Sequence, residues 1–256
     1  MPDSPHSAVV SKLRAAGCVF AEDEADLLLA AATSRAELDS LVERRAAGLP
    51  LEHLLGWAEF RGLRITVRPG VFVPRQRTGF LVDVAVSLAG PAPVVLDLCC
   101  GSGALGAAFA AARPPRELHA ADVEPAAVAC ARVNLPDAHV HEGDLYDALP
   151  ASLRGRVDIL LANVPYVPSG AVASMPPEAR LHEPRVALDG GADGLDLARR
   201  VAAGAPRWLA PGGTLLVESS EQQAPVLGQI FTAAGLTPRV HDSEELGATV
   251  VTGTAP

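Results

Sequence analysis

The sequence predicts an α/β protein: a doubly wound, mostly parallel sheet preceded by a small helical N-terminal domain. Beyond Pro93, short apolar runs alternate with helical stretches at the spacing of strand–helix units, which calls for a sheet covered on both faces. Before Pro50, apolar residues recur only at helical spacing. The tail departs from the alternation, because two strand-like runs follow one another with no helix between them.

Taken in order, residues 5 to 47 read as helices. Val9, Val10 and Leu13 fall on one face, then Ala25, Leu28, Leu29 and Ala32, then Leu38, Leu41 and Val42. Thr33 or Ser34 with Glu37 has the spacing of a capping box opening the third helix, and Gly48-Leu49-Pro50 ends it. From Trp57 to Val73 the pattern changes to short strands around Arg61-Gly62, a hairpin connector. Residues 78 to 89 read as a helix. The expected division is a helical domain over 1–50, a connector over 51–77 and the main domain over 78–256. Strands are expected at Val94–Leu98, Leu118–Asp122, His139–Glu142, Val157–Ala162 and Thr214–Glu218. Arg239–His241 and Thr249–Thr252 lie too close for a helical crossover, so they should pair antiparallel.

Bulk composition narrows the class. The 256 residues suit a domain of roughly 180 to 200 residues plus a small one. The net charge of −9, with Lys12 the only lysine, disfavours a nucleic-acid partner, since such affinity depends on phosphate neutralisation. No apolar run reaches the ~18 residues of a membrane span. Asp3, Lys12 and Arg14 interrupt the N-terminal stretch, which lacks a signal-peptide core. A cytoplasmic monomer without membrane contact is expected. Cys18, Cys99, Cys100 and Cys130 lack metal-ligand spacing and read as buried reduced thiols, so no metal is expected. His53, Trp57 and Trp208 read as packing residues.

The sharpest local signal is Asp97-Leu98-Cys99-Cys100-Gly101-Ser102-Gly103, between an apolar strand and the helix Ala104–Ala112. Glycines let a backbone turn tightly and approach a ligand, and the helix start presents free N–H groups. Gly103 in particular reads as a position where a branched side chain would block the ligand. Asp97 ends the first strand and can meet the positively charged methionine part of S-adenosylmethionine, directly or through water. Asp122 ends the second strand, where a carboxylate accepts ribose hydroxyls. Asp144 follows the third, within reach of an adenine amino group. Gly101, Gly103 and Gly106 also satisfy G-x-G-x-x-G, so NAD(P) is the rival ligand. A catalytic Tyr-x-x-x-Lys pair is impossible when Lys12 is the only lysine.

After the fourth strand comes Asn163-Val164-Pro165-Tyr166, across the switch point from the glycine loop. It resembles the N-P-P-Y signature of methyltransferases acting on planar nitrogens. Such a nitrogen has a delocalised lone pair and needs both N–H groups gripped. The Asn163 side-chain oxygen and the Val164 carbonyl can supply the two acceptors. Pro165 restricts Val164 to extended backbone, and Tyr166 offers a flat face.

With these motifs, the chain resembles the protein-(glutamine-N5) methyltransferase family of the HemK/PrmC type, which modifies class I peptide chain release factors. The matching residues are Leu55-Gly56, Glu59-Phe60, Gly62-Leu63, Pro69-Gly70-Val71, Pro74-Arg75 and Val95-Leu96-Asp97-Leu98 with Gly101-Ser102-Gly103. Glu183-Pro184-Arg185, Ala187-Leu188-Asp189-Gly190-Gly191 and Asp193-Gly194-Leu195-Asp196 are the most family-specific. The resemblance implies the class I methyltransferase fold with an antiparallel last strand, and S-adenosylmethionine as cofactor with S-adenosylhomocysteine as product. It further implies methyl transfer to the glutamine amide of a Gly-Gly-Gln loop. Asp97, Cys99, Gly101, Gly103, Asp122, Asp144 and Asn163 would then serve the cofactor. Asn163, Pro165 and Tyr166 would be catalytic, and Asn163, Val164, Pro165, Tyr166, Glu183 and Arg185 would meet a substrate that the N-terminal helices help to grip. Departures stand at Gln76-Arg77-Thr78-Gly79, where the family carries carboxylates, at Val164, and at Glu218-Ser219-Ser220 in place of Glu-Ile-Gly; they mark a divergent paralogue. The competing functions are a nucleic-acid amino methyltransferase, which the charge and the 4% aromatic content oppose, and a non-catalytic cofactor-binding protein.

Overall fold

The computed structural model describes residues 4–256, so Asp3 lies outside the described residues. Helices α1 (Pro5–Ala15), α2 (Ala21–Ala31), α3 (Arg35–Ala46) and the short α4 (Leu51–Leu55) form the N-terminal bundle. Its core is the predicted stripe of Val9, Val10, Leu13, Ala25, Leu28, Leu38, Leu41 and Val42, with Leu29 and Ala32 partly buried at the edge. The capping box is shared between its two candidates. Ser34 accepts the Glu37 N–H at 3.2 Å, while the Glu37 carboxylate returns to Thr33, taking its N–H at 2.8 Å and its hydroxyl at 2.5 Å.

Strands β1 (Trp57–Phe60) and β2 (Leu63–Thr66) pair antiparallel around Arg61-Gly62. Ala58, Phe60, Ile65, Val67, Val71 and Val73 send their side chains into the core of the main domain, and helix α5 (Gly79–Leu88) follows. His53 and Trp208 are packed as expected: His53 Nε2 lies 2.9 Å from the Val71 carbonyl, and Trp208 stacks on Tyr146 with ring centroids 5.7 Å apart.

The main sheet is built from β3 (Val94–Leu98), α6 (Ala104–Ala112), β4 (Glu117–Asp122), α7 (Pro125–Asn134), β5 (His139–Glu142), β6 (Val157–Ala162), α8 (Pro177–His182), α9 (Asp196–Gly204), β7 (Leu209–Ser219), α10 (Ala224–Ala233), β8 (Thr237–Ser243) and β9 (Ala248–Thr254). Its seven strands run in the order β5-β4-β3-β6-β7-β9-β8. The order reverses between β3 and β6, which opens a crevice at their carboxyl ends. β9 slots between β7 and β8 and is antiparallel to both. Every residue of β3 is buried, which is why that strand reads as a continuous apolar run rather than an alternating one. Among the described residues no helix is long and apolar enough to cross a membrane.

The bundle touches the main domain through a buried charge. The Arg45 guanidinium forks onto Glu24 at 2.6 and 2.9 Å, donates to the Leu49 carbonyl at 3.0 Å, and lies 3.3 Å from Glu178 on α8. Donation to the Glu24 carboxylate raises the Arg45 pKa above its usual value, against the opposing effect of burial.

Candidate active site

The crevice at the switch point is a cavity of about 410 Å³, walled by the connector, the glycine loop and the strand ends of β4, β6 and β7. Cys99, Gly101, Asp122, Asp144, Asn163, Val164, Pro165 and Tyr166 all line it, so most of the sequence-predicted site converges.

The glycine loop is held from both sides. Cys99, Gly101 and Gly103 take φ values of 58°, 53° and 80°. A Cβ added at Gly101 would meet nothing within 4 Å. Gly103 differs from the expectation. A Cβ there would press on Leu135 Cδ1 at 2.8 Å and on the α7 backbone at Ala131 Cα at 3.3 Å. The glycine is required by its left-handed backbone and by close helix packing, and the crowding lies on the protein side rather than the ligand side. Asp122 organises the loop, its Oδ2 accepting the Gly101 N–H at 2.8 Å and its Oδ1 that of Glu124 at 2.9 Å. Burial raises the Asp122 pKa, partly offset by these backbone donors.

Asp97 lies behind the loop, fully buried. Its Oδ2 accepts the Gly106 N–H at 2.9 Å, and its Oδ1 has no partner among the described residues. Burial pushes this carboxyl up to about 8; the Gly106 N–H opposes that shift and the charge of Asp122 adds to it. Burial likewise raises the thiols of Cys99 and Cys100 above their ordinary range. Asp144 lines the cavity with its carboxylate engaged by Arg200 at 2.6 Å.

The tetrapeptide stands at the end of β6, its backbone fixed by contacts that local sequence does not announce. Gln223 Nε2 donates to the Tyr166 carbonyl at 3.0 Å and to that of Asp193 at 2.9 Å. The Gly190 N–H donates to the Val167 carbonyl at 2.8 Å. A Cβ at Gly190 would fall 2.6 Å from the Pro165 oxygen, and one at Gly194 would collide with the Tyr166 carbonyl. The glycines after Leu188 thus let this loop lie directly against the tetrapeptide. The Tyr166 hydroxyl accepts from Arg77 Nη2 at 2.5 Å and donates to Glu218 Oε1 at 3.2 Å. Burial and the Glu218 charge push this phenol up to about 12, with Arg77 opposing.

Glu183 and Arg185 are not among the residues that line the cavity. Glu183 is buried and clamps the connector, its Oε1 accepting the Val73 N–H at 3.1 Å and its Oε2 accepting from Arg75 Nη2 at 2.7 Å. Arg185 points to solvent and pairs with Asp189 at 2.9 Å. Their chain neighbours Pro184 and Val186 line the cavity.

Comparison with known proteins decides the family. A methyltransferase small domain model matches residues 62–191. The chain is 40% identical over 198 residues to the release factor glutamine methyltransferase of Streptomyces coelicolor, covering 75% of this chain and 70% of that one. It is 41% identical over 208 residues to that of Gloeobacter violaceus, covering 77% and 71%. The chain belongs to the release factor glutamine methyltransferase family. A solved T. thermophilus 16S rRNA N2 G1207 methyltransferase, in complex with AdoMet and guanosine, superposes with a TM-score of 0.57 at 23% identity, over 78% of this chain and 50% of that one. That likeness shows the shared fold alone.

The cavity fits the cofactor of a methyltransferase. The open space over Gly101 and the Asp122 carboxylate form a polar cradle along one wall, with the unpartnered Asp97 oxygen buried behind it. Arg77 and Glu218 are functional candidates that no local motif announces, although Glu218 stands near its strand's carboxyl end just as Asp97 and Asp122 do.

Proposed function

We propose that this methyltransferase moves a methyl group from S-adenosylmethionine to the side-chain amide nitrogen of a glutamine in a protein acceptor, a release factor with a Gly-Gly-Gln loop. The observation that carries the reading is the placement of Asn163-Val164-Pro165-Tyr166 in the cavity wall across from the glycine loop, with its backbone pinned by Gln223 and the Gly190–Gly194 turn. The cofactor supplies an electrophilic methyl on a sulfonium. Gly101, Asp122 and Asp144 would hold it, and Asp97 behind the loop would give up its proton to meet a nearby positive charge.

The chain's own task is to present the amide. The Asn163 side-chain oxygen and the Val164 carbonyl each take one N–H of the NH2 group, favouring charge growth at nitrogen. The Tyr166 ring lies flat beside the planar group. Transfer to the nitrogen held by Asn163 and Val164 would release the demethylated cofactor, with the C–S electron pair leaving on sulfur. The nitrogen then gives its extra proton to solvent. Tyr166 keeps its proton at neutral pH, its phenol being held at about 12, so it orients and is not the base. Residues 1–50 position the acceptor protein, 51–77 connect, and 78–256 carry the chemistry.

The test offers the purified chain a release-factor domain carrying Gly-Gly-Gln, its Gln→Ala variant and total RNA, with labelled cofactor. Label in the first alone is expected. Label in RNA and none in the glutamine domain would transfer the reading to the nucleic-acid class.

A further inference from the structure

The acceptor end of the cavity holds a polar cluster that the transfer step does not use. Glu218 closes β7 and is only 3% exposed. Its Oε1 accepts from Arg77 Nε at 3.3 Å and from the Tyr166 hydroxyl at 3.2 Å. Its Oε2 has no partner among the described residues. Arg77, Tyr166 and Glu218 all line the cavity.

A buried carboxylate oxygen left unpaired is costly, and at a functional site such an atom calls for a partner from outside the chain. The Tyr166 hydroxyl takes an N–H from Arg77 and gives its hydrogen to Glu218, so it has none to spare. What satisfies Oε2 must therefore be a donor that arrives with a ligand.

The sheet register says which ligand. Ala162 pairs with Val217, so Asn163 and Glu218 stand side by side at the ends of β6 and β7. The glycine loop and Asp122 belong to β3 and β4, on the other flank of β6. Glu218 is thus on the acceptor side. The donor must also be neutral. Arg77 already neutralises the carboxylate, its guanidinium half exposed at the mouth, and a second cation would meet it.

We propose that Glu218, braced by Arg77 and Tyr166, is a binding residue for the acceptor polypeptide, its Oε2 accepting an amide N–H of that chain. This rests on the glutamine reading above and adds a third contact to the pair supplied by Asn163 and Val164. It makes the acceptor end selective for neutral amide donors over ammonium groups.

The experiment compares the full-length wild-type chain with Glu218→Gln, using the Gly-Gly-Gln domain as acceptor. The Gln side chain keeps the shape and can still accept from Arg77 and Tyr166, but turns an NH2 toward the incoming N–H. Acceptor KM should rise about 10- to 100-fold, the scale of a hydrogen bond to a charged group, with a smaller change in kcat. Calorimetry should find S-adenosylhomocysteine affinity unchanged. Arg77→Lys keeps the charge and loses the fork; it should raise KM by a lesser factor and guards against misfolding of the first variant. An unchanged KM in Glu218→Gln, or a loss of S-adenosylhomocysteine affinity, overturns this inference while leaving the glutamine reading intact. If the wild-type chain transfers no methyl to the domain, both fall together.

Discussion

Replacing Asp97 by asparagine should stabilise the cofactor-free protein at neutral pH, because the wild-type carboxyl is held where its charge is disfavoured. Its pKa is about 8 in the folded chain against 3.8 for the free side chain, with burial the main cause. The folded state therefore keeps a proton that the unfolded chain releases between those values. The sign follows: the stabilisation is fully present below about pH 4 and is lost as pH rises through about 8. At about 1.4 kcal/mol per unit, the loss reaches about 4 kcal/mol by pH 7. Asparagine cannot ionise, and its oxygen can still accept the Gly106 N–H. Its NH2 then occupies the unpartnered position at a cost of about 1–3 kcal/mol. The net gain is about 1–3 kcal/mol at pH 7, falling to a net loss near pH 4. Urea unfolding of both proteins from pH 4.5 to 8.5, without cofactor, measures the difference. Asp122, whose pKa is also raised by burial, leaves a residual slope in both, so the difference curve is the readout. Parallel curves, or a variant less stable than wild type at pH 8, would refute the reasoning. Weaker S-adenosylhomocysteine binding by the variant is expected alongside, since asparagine, unlike the carboxyl, cannot ionise to meet a ligand's positive charge behind the loop.

Three further outcomes are expected. Asn163→Ala should lower turnover by roughly 100-fold, the scale of one preorganised electrostatic contact, with cofactor affinity retained in calorimetry; equal loss of both would place Asn163 with the cofactor instead. Cys99→Gly should gain up to about 1 kcal/mol in thermal unfolding, since a left-handed residue costs about 1–2 kcal/mol and glycine's extra unfolded entropy returns about half of that; a net loss would show that thiol packing outweighs the strain. Arg45→Met should cost about 3–5 kcal/mol in thermal unfolding, because it leaves the Glu24 carboxylate buried without its cation, and Glu24→Gln in the same chain should recover part of it.

The fold was legible because its signals are local. The apolar stripe of each helix, the buried β3 run and the two close tail strands each follow from residues near one another in the chain. The glycine loop was legible for the same reason, a strand end meeting a helix start. What escaped the sequence lies in pairings across the chain. Glu183 reads as a loop residue until the fold sets it against Arg75, 108 positions away. Arg77 reads as a departure from a motif until Glu218 meets it across 141 positions. Gly103 carries the opposite lesson. Its requirement for glycine was visible, but the neighbour that enforces it, Leu135, comes from the helix after the next strand.

These long-range pairings form one continuous line of contact from the bundle to the reacting group. Arg45 of α3 reaches Glu178 on α8, and α8 ends at the residue before Glu183. Glu183 holds Val73 and Arg75 of the connector. Two residues further, Arg77 grips the Tyr166 hydroxyl and Glu218. Each link is a charged or bidentate contact on a buried or half-buried carboxylate, the kind worth most when both partners are kept from water. The line approaches the cavity entirely from the acceptor side and leaves the glycine loop untouched. A protein docking on the bundle would therefore bear on Tyr166 before it bore on Asp122, which is the order an enzyme needs if its acceptor is a folded protein and its cofactor binds alone.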